Sequence, residues 1–164
     1  MLRSKNNNKI INKKYINKQC VSIQHEDNYQ LLNLLIPEQI FDDHIYQSNL
    51  IKKPKLSLTV INKFKYTTEL AFKYSFEFGN SEEIIVKLYH DAKVAEIVYC
   101  TDLQQFIRLL GPKICPKVHS ETRSSLNVFL NKWLSFLLQN NYNKLNWDRG
   151  MVLSKNQNES IDKF

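Results

Sequence analysis

The stretch Glu82–Cys100, "EEIIVKLYHDAKVAEIVYC", decides the fold. Its two halves alternate apolar and polar residues with period two around a short polar centre, which predicts two antiparallel strands joined by a tight turn. Paired about the Asp91–Ala92 midpoint, Tyr89 faces Val94, Leu88 faces Ala95, Lys87 faces Glu96 and Val86 faces Ile97. One face then gathers Ile84, Val86, Leu88, Ala95, Ile97 and Tyr99, and the other sets Lys87 opposite Glu96 as an ion pair. A slip of one residue would send the apolar set into water, so the register is strongly specified. His90, Asp91, Ala92 and Lys93 form the tip. Alanine disfavours a type I′ turn, so a four-residue loop built on a type I turn is expected there.

The same period runs upstream. "KLSLTVIN" alternates Leu56, Leu58 and Val60 against Ser57 and Thr59. From Tyr66 to Phe78, Leu70, Phe72, Tyr74, Phe76 and Phe78 oppose Glu69, Lys73, Ser75 and Glu77. "GNS" at 79–81 supplies the turn. Two helical patterns flank this meander. In "NYQLLNLLIP", Leu31, Leu34 and Leu35 repeat at helical spacing, with Tyr29 and Leu32 widening the stripe, until Pro37 stops the helix. Leu126, Phe129, Leu130, Trp133, Leu134, Leu137 and Leu138 form the second apolar face, begun by a cap at Ser120 or Thr122 and ended at "QNNYN". Residues 38–55 read as a connection, and "RLLGPKICPKVH" as a loop. The fold class is α+β: a single antiparallel sheet of about four strands, with an N-terminal and a C-terminal amphipathic helix packed on one face.

The 164 residues fit one domain with polar ends. Residues 1–19 read as a basic, Asn-rich disordered tail, 20–141 as the α+β domain, and 142–164 as a polar, frayed tail anchored only by Trp147. Of the net charge of +7, six positive charges and no acid lie in residues 1–18, which leaves a body of 17 basic and 16 acidic residues. The basicity belongs to the tail. Such a tail allows weak, salt-dependent contact with nucleic acid. Cys20, Cys100 and Cys115 are odd in number and form no CxxC pair, so neither a disulfide framework nor a zinc clip is expected. No apolar run is long enough to cross a membrane, and a cytoplasmic location follows as the default.

The chemistry-bearing residues are few. His90 and Asp91 are adjacent, but a hairpin tip is convex and wet, and no nucleophile is placed beside them. His25, Glu26 and His44 stand at no ligand-like spacing, and His119 lies in a proline-bearing segment. With three glycines the chain has no GxxxxGK[ST] or GxGxxG, and it lacks HExxH and GxSxG. Tyr66, Tyr74 and Tyr89, beside Lys65 and Lys73, suggest a base-stacking sheet, although the glycine and aromatic signature of RNA-recognition strands is missing.

Four stretches, in order, carry a family resemblance. "HEDNYQLLNLLIP" (25–37) resembles a helical "CExNYxxLxxLLP" opening, "YTT" (66–68) a strand segment, "VKLYHDAKVAEI" (86–97) a central motif, and "LNVFLNKWLSFLL" (126–138) a final helix. Together they are similar to the YqiB-like family of small proteobacterial proteins, a domain-of-unknown-function family. His25 stands where that family usually has cysteine, "LLGPKICP" replaces a Tyr-Asp-Tyr-Pro run, and "SETR" after His119 reduces an acidic-basic cluster. The resemblance implies a bacterial cytosolic protein with no established activity, cofactor or partner, whose relatives' genes often neighbour nucleotide-metabolism genes. It draws attention to Asn28, Tyr29, Tyr66, Thr67, Thr68, Tyr89, His90, Asp91, Glu96, His119 and Trp133 as contact residues. No catalytic, cofactor or metal residue is assigned. The function expected is a non-catalytic binding or interaction module with an unknown protein partner or small ligand. The alternatives are a nucleic-acid binder acting through the tail, and a small ligand-binding protein or enzyme linked to nucleotide metabolism.

Overall fold

A computed structural model describes residues 23–75, 82–101 and 116–152, with side chains at all of these except 82, 116–122 and 151–152. Helix α1 covers 23–35. Five strands follow: β1 (His44–Ser48), β2 (Lys55–Lys63), β3 (Thr67–Ser75), β4 (Glu82–Tyr89) and β5 (Val94–Cys100). Helix α2 (Pro116–Gln139) and strand β6 (Trp147–Val152) complete the order. All neighbouring strands are antiparallel, in the order β5-β4-β3-β2-β1-β6.

The sheet therefore has six strands and not about four. The two extra strands fall where the sequence offered a connection and a fraying tail. β1 is five residues long, and β6, "WDRGMV", carries two charges and a glycine, so neither shows a clean alternation. Pairing with β2 and with each other supplies what their composition lacks. Because β6 follows α2, that helix is not the last element.

Buried residues alternate along the central strands: Leu56, Leu58 and Val60; Leu70, Phe72 and Tyr74; Ile84, Val86 and Leu88; Ala95 and Ile97. One sheet face is thus apolar, and it shares a single core with Leu32 and Leu35 of α1 and with Leu130, Leu134 and Leu137 of α2. Each such side chain contributes roughly 1.5–3 kcal/mol before ordering entropy is subtracted. The helical faces are narrower than the apolar stripes in the sequence. Leu34 (55% exposed) and Phe129 (46%) point outward, while Asn28 and Asn127 occupy buried positions. Phe76, Phe78 and the turn at 79–81 lie outside the described residues.

The ends of the helices have identifiable stops. α1 finishes ahead of Pro37, as expected, and its last carbonyls are met from the far end of the chain: Trp147 Nε1–H donates to Leu35 O (2.7 Å) and the Lys144 amide to Leu34 O (3.1 Å). α2 begins at Pro116, ahead of the expected cap at Ser120 or Thr122 and inside the segment read as a loop; proline is tolerated in a first helical turn. It closes at "QNNYN" with Asn141 at φ 69° and bonds from Asn141 N–H to Leu138 O and from Tyr142 N–H to Leu137 O, a Schellman arrangement.

The β4–β5 hairpin has the expected register at its tip end: Tyr89↔Val94, Leu88↔Ala95, Lys87↔Glu96 and Val86↔Ile97. A bulge between Ile85 and Val86 then shifts the pairing to Ile85↔Tyr99 and Ile84↔Cys100. Cys100, and not Tyr99, therefore enters the core, and the extra residue Val98 turns outward.

Candidate functional site

The hairpin loop closes with Lys93 at φ 53°, in the left-handed region. The amide of His90 donates to Tyr66 O (2.8 Å), extending the β3–β4 pairing one step beyond Tyr89. Strand alternation then puts the His90 side chain on the face of Leu88 and Thr68, the helix-bearing face. Its Nε2 lies 2.8 Å from Thr68 Oγ1, and its Nδ1 3.2 Å from the Tyr29 hydroxyl of α1. The Tyr29 and His90 rings meet edge-on, 6.1 Å between centroids. A hydroxyl can donate or accept, so both ring nitrogens are satisfied in either neutral tautomer. The histidine at the hairpin end is exposed, as expected of a tip residue, but its ring is oriented by two partners, whereas Asp91 is exposed beside it.

Beside this triad is a cavity of about 370 Å³. Its apolar floor is Leu70, Leu88 and Ile36, and polar groups of Asn33, Thr68, Lys63 and His90 converge on it. The loop after α1 forms the far wall. Lys63 Nζ secures that loop by donating to Ile40 O (2.8 Å), and Lys144 pairs with Glu38 there (3.1 Å). Its volume falls within the range of small-molecule sites, and it is a half-open cleft whose lining also includes Pro37, Ile40 and Glu38.

On the other side of the hairpin, Tyr89 donates to Glu96 Oε1 (2.9 Å), and Arg123 of α2 engages Glu96 Oε2. Burial, followed by the Glu96 carboxylate, holds the Tyr89 phenol above its ordinary pKa. The expected Lys87–Glu96 ion pair does not form, although the two residues are opposite in register. Lys87 turns to Glu69 on β3 (3.4 Å), because Glu96 is already held by Arg123 and Tyr89. Asn62, donating to Glu69 Oε2 (2.7 Å), is the main cause that lowers the Glu69 pKa, with Lys87 adding to it. Burial lowers the pKa of His25, partly offset by Glu96.

Two buried asparagines close this end. Asn127 Oδ1 accepts the Ile97 amide of edge strand β5 (3.0 Å), and its Nδ2 donates to Arg123 O (2.9 Å). Asn28 Nδ2 donates to Asn127 O (3.3 Å), while Asn28 Oδ1 has no partner among the described residues.

The structure therefore brings together Tyr29, Thr68 and His90 on the helix-bearing face, Tyr89 and Glu96 on the other side of the hairpin, and Asn28 with Asn127 between the helices. Thr67 pairs with Tyr89 on the outer side of β3–β4. Trp133 stands apart, edge-on to Phe72 (5.8 Å) and Tyr74 (6.4 Å), in a packing role. His119 belongs to α2, with its side chain outside the described residues, as are residues 1–18. The base-stacking set disperses: Tyr74 is buried, the Tyr89 hydroxyl is bound to Glu96, and Tyr66 alone is exposed, under the Lys65 ammonium (4.9 Å). Sequence reading missed Asn33, Lys63 and Asn127, and met Arg123 only as the end of the "SETR" remnant. Asn127 left a trace as well, a polar residue at a core-facing position of the leucine pattern.

Among the described residues no group of three or more His, Cys, Asp or Glu side chains could hold a metal, and no helix is long and apolar enough to cross a membrane. Residues 30–143 match the model of a family described as protein of unknown function (DUF1249). The chain belongs to the DUF1249 family. The match contains Thr68, His90 and every residue that lines the cavity, whereas Asn28 and Tyr29 precede it. No curated protein and no solved structure matches the chain significantly.

Proposed function

We propose that this DUF1249 protein is a non-catalytic binding module whose ligand is a small amphipathic molecule seated in the cavity beside His90. The observation that carries this reading is the oriented imidazole, fixed by Thr68 and Tyr29, at the wall of an apolar-floored cavity. Pro37 and Ile40, over the buried Leu70 and Leu88, would take an apolar body, and Lys63 and His90 a polar head, with Glu38 neutralised by Lys144. The similarity of "HEDNYQLLNLLIP" and "VKLYHDAKVAEI" to YqiB-like proteins supports a bacterial, cytoplasmic setting for this module.

The test is titration with anilinonaphthalene sulfonate, an amphiphilic anion whose emission rises in apolar sites. Asn33 is exposed at the cavity wall, so Asn33→Trp fills the entrance without touching the core. Saturable binding that Asn33→Trp removes and His90→Ala weakens is the expected result. Equal binding by the Trp variant would refute the assignment.

A catalytic reading has one observation behind it: Thr68 Oγ1 is within nucleophile–base distance of His90 Nε2. A tyrosine hydroxyl, and not a carboxylate, backs the other nitrogen, so the third member of a hydrolytic triad is not at that position. Turnover of a nucleotide or phosphoester panel that disappears in both Thr68→Val and His90→Ala would favour this reading over simple binding.

A further inference from the structure

Both helices pack on one side of the sheet, and no described element covers the other. The strand registers place Ile45, Thr59, Ala71, Ile85 and Tyr99 in one row across five strands of that open face. At about 4.8 Å per strand the row is roughly 20 Å long. All five residues are half-buried. The next row toward one end of β3 pairs Lys73 with Glu83, and the next row toward the other end pairs Glu69 with Lys87. Lys73 and Glu83 are exposed, and the side chains of Glu69 and Lys87 keep 24% and 30% of their surface accessible.

The signs form a checkerboard around Ala71 and Ile85: positive at 73 and 87, negative at 69 and 83. A checkerboard is complementary to itself. Turned by a two-fold axis along the apolar row, a second copy lays its Glu69 over Lys73 and its Lys87 over Glu83, with Ile85 on Ile85. A two-fold axis along the strands, between β3 and β4, meets the same condition, with Lys73 over Glu83 and Glu69 over Lys87. A polyanion or polycation would meet two like charges on this face, and an apolar partner would strip water from Lys73, Glu83 and the Glu69–Lys87 pair without offering any of them a new opposite charge. A second copy brings an opposite charge to each of the four. Face-to-face packing of aligned sheets has a well-known geometry, and a two-fold interface uses the same patch on both subunits.

We propose that the open face of the sheet is a two-fold interface between copies of this chain, separate from the cavity beside His90. The apolar row is short and the charges lie near solvent, so the dimer is concentration-dependent and weakened by salt.

Sedimentation velocity of the full chain over a concentration series tests this. Two charge variants, each checked for folding by circular dichroism, sharpen it. Lys73→Glu with Lys87→Glu makes the four charges acidic, and Glu69→Lys with Glu83→Lys makes them basic. The expected result is a wild-type dimer, two variants each monomeric alone, and dimerisation restored on mixing them. A wild-type monomer throughout, a dimer indifferent to either variant, or a mixture that stays monomeric would each overturn the proposal.

Discussion

Asn127 is the polar residue on which the β5 edge depends, and its replacement has a calculable cost. It is 1% exposed, and its Oδ1 is the acceptor for the Ile97 amide at an edge that no further described strand covers. Asn127→Ala leaves that buried donor unpaired, which costs about 1–3 kcal/mol, and the small void adds to it. The Arg123 carbonyl loses a side-chain donor, a smaller effect where the helix backbone still reaches it. A net loss of about 2 kcal/mol is expected, which is a large share of a small domain's stability. Urea unfolding measures it as a lower midpoint at unchanged slope. Asn127→Leu separates the two causes, since it fills the volume but offers no acceptor. If the unpaired amide is the cause, Leu fails to restore stability and the Ile97 amide exchanges faster in both variants. Recovery in Asn127→Leu, or a loss under about 0.5 kcal/mol in Asn127→Ala, would refute the reasoning.

Other perturbations have equally definite outcomes. The Tyr142 hydroxyl donates to Pro54 O (2.6 Å), and burial is the main cause that pushes its pKa up from 10.0 to about 12. A raised folded-state pKa favours the protonated form, so its contribution is complete below pH 10.0 and is lost as pH rises toward about 12. Urea midpoints in that window should fall in wild type and fall less in Tyr142→Phe. Gly150→Ala would bring a Cβ to 2.7 Å from Ile45 O, so it should part β1 from β6 and lower the thermal midpoint, with lost protection at the Gln47 and Asp148 amides. Lys93→Gly relieves a left-handed residue in the hairpin loop and should raise stability by about 0.5–1 kcal/mol in the same urea assay.

The legible parts of the fold were those set by local period. Leu88↔Ala95 and Lys87↔Glu96 follow from alternation and loop length alone, and Leu56, Leu58, Leu70 and Phe72 alternate as clearly in burial as in sequence. A bulge inserts one residue without a sequence mark, which is why Cys100 replaced Tyr99 in the core. β1 and β6 acquire their conformation from neighbours far along the chain, as the Trp147 bond to Leu35 illustrates. The same distance hid the site. His90 could be placed at a hairpin end, but Thr68 lies on β3, Tyr29 on α1 and Lys63 on β2, and only the assembled sheet makes them neighbours. Ion-pair choice is similarly non-local: Lys87 prefers Glu69 because a helix 27 residues beyond Glu96 delivers Arg123 to it.

The binding assignment is tested most directly by methyl NMR during titration with anilinonaphthalene sulfonate. The methyls of Leu70, Leu88 and Ile36 should shift together and saturably, while Leu58 and Leu137, buried elsewhere in the core, stay still. Another cavity, of about 610 Å³, is lined by Leu50 and Ile51 in the loop between β1 and β2. Shifts confined to it, or no saturable shift at Leu70 and Leu88, would contradict the assignment.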